Sequence, residues 1–90
     1  TGRLMEIRNY IQVNENLTVP KYQQIVDSIT ENISNGKLEF DQKLPSINML
    51  SENFYLSRDT VEKAYNILKR RNLIVSIPRR GNYVIKTEKL

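Results

Sequence analysis

The stretch "SRDTVEKAYNILKRR", residues 57–71, decides the fold. Its apolar residues recur at steps of three and four, which predicts an amphipathic helix with one buried face. Ser57 is suited to the N-cap, where its hydroxyl can accept a hydrogen bond from the backbone N–H of Thr60. The first turn carries Arg58, Asp59 and Thr60 and no apolar side chain. This end of the helix is therefore expected to face solvent or a polar ligand.

A second, shorter helix is predicted just before this stretch. Ser46 is its N-cap residue, and its apolar positions are Ile47, Leu50 and Phe54. It has to end near residues 55–56, because Ser57 already opens the next helix. Two short helices joined by a tight turn, the second with a polar N-terminus, are typical of the helix-turn-helix motif. In that motif the second helix enters the major groove of DNA.

A β-hairpin is predicted after the long helix. Two runs rich in β-branched and aromatic residues, "LIVSI" and "NYVIK", are joined by "PRRG". Pro78 and Gly81 are expected to bend the hairpin, with Arg79 and Arg80 projecting from its tip. A hairpin in this position is a wing that lies along the DNA backbone or in the minor groove.

The first long helix is predicted to begin at Pro20, whose missing N–H is not needed in a first helical turn. Gly36 is expected to end it in the left-handed conformation. Residues 37–46 are predicted to be irregular or to form a short strand. The expected fold is therefore α+β and mainly α, with three helices and a hairpin wing. The buried stripe of the first helix comprises Tyr22, Ile25, Val26, Ile29 and Ile33.

The composition excludes several classes of protein. The 90 residues include no Cys and no His, which removes disulfides, thiolate metal sites and His-dependent nucleophilic catalysis. No enzymatic activity, metal or cofactor is therefore expected. No segment approaches the ~20 apolar residues of a membrane helix, and we expect a cytoplasmic protein without membrane contact.

The net charge of +4 is unevenly distributed. Residues 1–54 hold five Lys/Arg against seven Asp/Glu, whereas residues 55–90 hold nine against three. The half that contains the helix of residues 57–71 and the hairpin is therefore strongly basic. Such a polarised charge favours a polyanionic partner, although a merely solvated basic face would have the same composition.

The two runs "LPSINMLSENFYLSRDTVEKAYNILKRRNLI" and "PRRGNYVI" together resemble the GntR-type winged helix-turn-helix of bacterial transcription regulators. The resemblance covers about residues 19–86. It implies sequence-specific binding to double-stranded DNA, with Arg58 and Thr60 reaching bases and Gly81 letting the wing approach the minor groove. The expected DNA-binding residues are Lys21, Tyr22, Ser46, Asn48, Ser57, Arg58, Asp59, Thr60, Lys63, Arg79, Arg80 and Gly81.

Some positions depart from the family pattern or have a simpler explanation. The family often has Arg where this chain has Asn48 and Glu62, so Asn48 could read adenine, and Glu62 could accept from cytosine or hold Arg58. Arg58 with Glu62, and Asp59 with Lys63, are also opposite-charge pairs at i,i+4, as found on any solvated helix.

The resemblance also implies a larger protein. Residues 1–18 are interpreted as an N-terminal arm, residues 19–86 as the winged-helix domain and residues 87–90 as the start of a linker. The linker would lead to an effector domain that binds a small molecule, and the sequence is similar to AraR-like, sugar-responsive regulators. A homodimer, in the full-length protein or on DNA, would bind a pseudo-palindromic operator.

Two other kinds of partner would need different surfaces. A winged helix that binds proteins would need an exposed apolar face, and we expect no surplus of apolar residues beyond the core stripes. An RNA-binding domain would need aromatic platforms on its basic face, which the sequence does not suggest.

Overall fold

Three helices are followed by a two-stranded antiparallel hairpin, as predicted from the sequence. The computed structural model describes residues 11–16 and 18–85. Within them, no helix is long and apolar enough to cross a membrane. The fold is a winged helix, α+β and mainly α. Its elements are α1 (Lys21–Ser34), α2 (Ile47–Phe54), α3 (Arg58–Arg70), β1 (Ile74–Ile77) and β2 (Gly81–Val84).

The core lies between α1 and α3, where the two apolar stripes meet. Ile25, Val26 and Ile29 of α1 are fully buried, and the predicted inward positions of α3 are buried as well. Pro20 is the N-cap of α1, so this helix begins one residue later than predicted; the Pro20 carbonyl accepts from the N–H groups of residues 23 and 24. Gly36, at φ 87°, stands just beyond the helix end as expected.

The start of α2 is held by a side-chain cap and by one buried hydrogen bond to α3. Ser46 Oγ accepts from the backbone N–H of Met49 at 3.0 Å, which caps α2. The hydroxyl of Tyr65, buried in the core, donates to the Pro45 carbonyl at 2.6 Å. This bond ties α3 to the residue that precedes the α2 cap, and so sets how the two helices meet.

The hairpin is joined by a third extended segment from the linker between α1 and α2. In the hairpin, Ile74 lies opposite Val84 and Ile77 lies opposite Gly81. The N–H of Asp41 donates to the Val84 carbonyl, and the N–H of Leu44 donates to the Asn82 carbonyl, both at 2.8 Å. The linker is therefore bonded along β2, where Lys43 lies opposite Tyr83.

The N-terminal arm is part of the core, which the sequence pattern did not indicate. Ile11 is only 1% exposed and belongs to the same buried cluster as the α1 and α3 stripes. The side chain of Gln24 accepts from the N–H of Asn14 at 2.6 Å and donates to the Val19 carbonyl at 2.9 Å. Residues 1–10 and 17 of the predicted arm, residue 86 at the end of the predicted domain, and the whole predicted linker, residues 87–90, lie outside the described residues.

Candidate nucleic-acid interface

The N-terminus of α3 presents a hydroxyl pair at the surface. Ser57 Oγ accepts from the backbone N–H of Thr60 at 3.1 Å, and the two hydroxyl oxygens lie 2.9 Å apart. One hydroxyl proton is used between the two oxygens, whichever side chain donates it. The other proton remains available, so the pair can offer one O–H donor to an anionic oxygen.

The charged residues of the first turns of α3 point into solvent. Arg58, Asp59 and Glu62 are all exposed. Neither of the two possible i,i+4 ion pairs, Arg58 with Glu62 and Asp59 with Lys63, is formed in the described part of the chain. The guanidinium of Arg58 is therefore not held by Glu62, and both side chains are open to a ligand.

Lys63 contacts α1 rather than Asp59, its possible i,i+4 partner. Its ammonium nitrogen lies 4.1 Å from the centroid of the Tyr22 ring, a cation–π contact between α3 and α1. The contact brings two of the predicted DNA-binding residues together across helices. Lys21, the neighbour of Tyr22, has its ammonium 3.6 Å from the Glu15 carboxylate. A phosphate at Lys21 would have to compete with that carboxylate.

The start of α2 carries two more predicted site residues, both exposed. Ser46 uses its hydroxyl oxygen as the helix cap, which leaves its O–H free to donate outward. The side-chain amide of Asn48 makes no hydrogen bond within the described part of the chain, although its backbone carbonyl accepts from Ser51. Asn48 can therefore present both a donor and an acceptor to a base edge.

The wing tip is a tight turn with an unusual residue in its left-handed position. The N–H of Arg80 donates to the Ile77 carbonyl at 2.9 Å, and Pro78 occupies the first central position of this turn. Arg79 follows with φ 68°, a place where type II turns usually have Gly or Asn. Both arginines are exposed, as predicted. Gly81, at φ 120°, then starts β2.

Lys43 is a cationic residue of the wing tip that the sequence did not point to. A Cβ atom built on Gly81 would lie 3.2 Å from Lys43 Cε and 3.9 Å from its ammonium nitrogen. The side chain of Lys43 therefore runs directly across Gly81 and adds a third positive charge beside Arg79 and Arg80. The sequence offered one hint of this contact, which is that residues 37–46 could form a short strand and so pair with the hairpin.

The predicted site residues share one property, which is that none is buried. Most are exposed, and Lys21, Tyr22, Thr60 and Gly81 are partly exposed. Within the described residues, no group of three His, Cys, Asp or Glu side chains could hold a metal ion. The surface therefore offers guanidinium, ammonium, hydroxyl and amide groups, which are the groups that bind phosphates and base edges.

The expectation that no large apolar residue would be left outside the core was wrong. Phe40 is 65% exposed and Tyr55 is 91% exposed. Phe40 lies in the linker before α2, whereas Tyr55 lies in the turn between α2 and α3. Val19 and Val75 are each 39% exposed as well. These four residues lie on separate segments of the chain, and single exposed side chains do not amount to the apolar face that a protein-binding surface would need.

Comparison with known proteins agrees with this geometry. Residues 21–84 match the family model described as bacterial regulatory proteins, gntR family. The chain belongs to this family. The match runs from the first residue of α1 to the last residue of β2, so it includes the helices and the wing.

Individual relatives are similar over most of the chain. It is 34% identical to the HTH-type transcriptional repressor NagR of Bacillus subtilis over 76 residues, which are 84% of this chain and 31% of the relative. It is 33% identical to the arabinose metabolism transcriptional repressor of Geobacillus stearothermophilus over 67 residues, 74% of this chain and 18% of the relative. The chain thus spans less than a third of the length of these two relatives.

One solved structure with a similar fold was determined on DNA. The DNA-binding domain of AraR in complex with operator ORX1 superimposes with a TM-score of 0.71 at 34% identity. The superposition covers 81% of this chain and 92% of the AraR chain.

Proposed function

We propose that this domain binds double-stranded DNA in a sequence-dependent way through the N-terminal half of α3. The observation that carries the proposal is the exposed, unpaired and polar start of this helix, which stands on a fully buried apolar stripe. A helix of this build fits the major groove. The AraR domain, which is bound to its operator in the solved complex, supports the same use of the fold.

The side chains at the start of α3 suit different parts of the duplex. The guanidinium of Arg58 has no ionic partner among the described residues, and its fork of donors matches the O6 and N7 acceptors of guanine. The Ser57–Thr60 pair has one O–H left for a phosphate oxygen. Asn48 on α2 can pair with adenine, and Glu62 can accept from the amino group of cytosine.

The wing supplies binding that does not depend on sequence. The Lys43 side chain reaches Gly81, and the exposed Arg79 and Arg80 directly precede Gly81 in the chain, so the wing tip carries three cationic residues. The Lys43 side chain takes the space that a Cβ on Gly81 would need, so its ammonium group would meet the minor groove there, and the three charges would neutralise phosphates on either side of it. The wing therefore contributes affinity and register, while α3 contributes the choice of sequence.

The biological setting that fits is a bacterial, cytoplasmic transcription regulator without enzymatic activity. The two relatives described above are named as repressors, and the name of one refers to arabinose metabolism. Repression of a sugar-related operon, with a small-molecule effector bound by another domain, is consistent with them. A single α3 reads only a few base pairs, so two domains on a pseudo-palindrome, with half-sites about one helical turn apart, would give useful specificity.

The proposal is tested by selecting preferred duplexes from a random-sequence pool and then measuring variants on the selected duplex by fluorescence anisotropy. Arg58→Ala should weaken binding by about 1–3 kcal/mol and relax the preference at one base pair. Arg70→Ala is the matched control, because Arg70 is also exposed on α3 but lies about 18 Å further along the helix. Its loss should leave the base preference unchanged.

Three results would contradict the proposal. If the selection returns no preferred sequence, the domain does not read bases. If Arg58→Ala and Arg70→Ala lower the affinity equally and leave every base preference intact, α3 acts only as a source of positive charge. Strong binding to a protein partner with no binding to duplex DNA would favour a protein-interaction module.

A further inference from the structure

Tyr55 has a backbone conformation that its residue type disfavours. Four non-glycine residues of the described structure have positive φ, and they are Asp41, Tyr55, Asn72 and Arg79. Asp and Asn adopt the left-handed region readily, because their short side chains bond locally, but Tyr and Arg do not. Arg79 belongs to the basic wing tip. Besides Arg79, Tyr55 is thus the residue with a strained backbone. Such strained residues are often found at functional sites.

The fold itself gives no reason for a tyrosine at this position. Tyr55 is the C-cap residue of α2, with φ 54° and ψ 46°, a position that glycine fills in many helices. Its side chain is 91% exposed. The hydroxyl makes no hydrogen bond and the ring makes no aromatic or cation contact within the described residues. Glycine would remove the strain, and no packing would be lost.

Tyr55 is close to the group that is expected to meet DNA. It precedes Ser57, the exposed N-cap of α3, by two residues, so the two Cα atoms are within about 7 Å of each other. The turn between them is short and anchored, since the N–H of Leu56 donates to the Ser51 carbonyl at 2.9 Å. The backbone that carries the phenol ring is therefore anchored two residues before the N-cap of α3.

We propose that Tyr55 is a DNA-backbone contact, with its hydroxyl donating to a phosphate next to the base pairs read by α3. Tyrosine O–H groups are among the usual donors to phosphate oxygens. The exposed ring would at the same time cover part of the neighbouring deoxyribose. The inference rests on the DNA binding proposed above, and it adds a contact that fixes how far α3 enters the groove.

The contact is tested with Tyr55→Phe, Tyr55→Gly and the control Asn72→Gly on a duplex that holds one selected half-site. Tyr55→Phe removes only the hydroxyl and should weaken binding about 3- to 10-fold, which corresponds to one hydrogen bond. Tyr55→Gly should weaken binding at least as much, yet leave the melting temperature unchanged or higher. Asn72→Gly changes an exposed left-handed residue beyond the opposite end of α3, about 20 Å away, and should leave the affinity unchanged.

A phosphate contact by a neutral group also predicts an unchanged salt dependence. The slope of log affinity against log salt should be the same for Tyr55→Phe as for the original chain, because no ion pair is lost. Unchanged affinity in both Tyr55 variants, with the original chain still binding the duplex, would overturn the inference and leave the proposed function standing. A loss seen only on duplexes with two half-sites would assign Tyr55 to a contact between two copies, and would also overturn it.

Discussion

Replacing Lys43 by Gln should reduce the salt dependence of DNA binding, although Lys43 lies outside both the helix-turn-helix and the hairpin. Its side chain crosses Gly81, with the ammonium nitrogen 3.9 Å from where a Cβ would be. Any phosphate that approaches the wing backbone at Gly81 therefore meets this ammonium group. Gln keeps much of the length of the side chain and removes its charge.

The size of the effect follows from counterion release. Each phosphate that a cation neutralises contributes about −0.9 to the slope of log affinity against log salt. Lys43→Gln should thus make the slope shallower by about 0.9, and removal of both tip arginines by about 1.8. Between about 50 and 200 mM salt, a change of 0.9 amounts to about 3.5-fold in affinity.

The assay is anisotropy of a labelled duplex titrated at several salt concentrations. Lys37→Gln is the matched control, since Lys37 is an exposed lysine of the same linker, just beyond the end of α1. Both variants lower the net charge equally. If the two slopes fall by the same amount, Lys43 acts only through the overall charge of the domain, and the three-cation wing tip is refuted.

Three further predictions concern stability and assembly. Tyr65→Phe should lower the free energy of unfolding, measured by urea titration, by about 1–3 kcal/mol, because the buried Pro45 carbonyl loses its donor. Tyr83→Phe is the control and should leave this free energy unchanged, because the Tyr83 hydroxyl is exposed. Ile11→Ala should cost about 2–5 kcal/mol, and an unchanged midpoint would show that the arm is not part of the core. In analytical ultracentrifugation, a duplex with two half-sites should bind two chains, and a strict one-to-one complex would remove the palindrome.

Much of the fold could be predicted because the signals are local. Ser57 was identified as the α3 cap from its position before an apolar stripe, and its hydroxyl does accept from Thr60. The same kind of evidence identified Ser46 and Gly36 at other helix ends. Caps and apolar stripes depend on residues three or four apart in one element, so the sequence contains all the partners that determine them.

The candidate site was predictable only in part. The exposed positions of Arg58, Arg79 and Arg80 follow from the pattern of α3 and from the hairpin turn. The side-chain contacts of neighbouring residues could not be predicted in this way. Lys63, for example, contacts the ring of Tyr22 rather than Asp59. Long cationic side chains choose among several nearby partners of similar energy, and surface ion pairs are worth too little to decide the choice.

The sequence by itself determined the three helices, the hairpin, the basic surface and the family of this protein. The packing of distant segments decided that Lys43 crosses the wing tip, that Ile11 completes the core, and that Tyr55 stays in solvent. The first two are contacts between residues far apart in the chain, and the third is the absence of such a contact. The pattern of residues within one helix or strand cannot predict any of them. They depend on how the helices and the sheet fill a common volume, which only the tertiary structure can show.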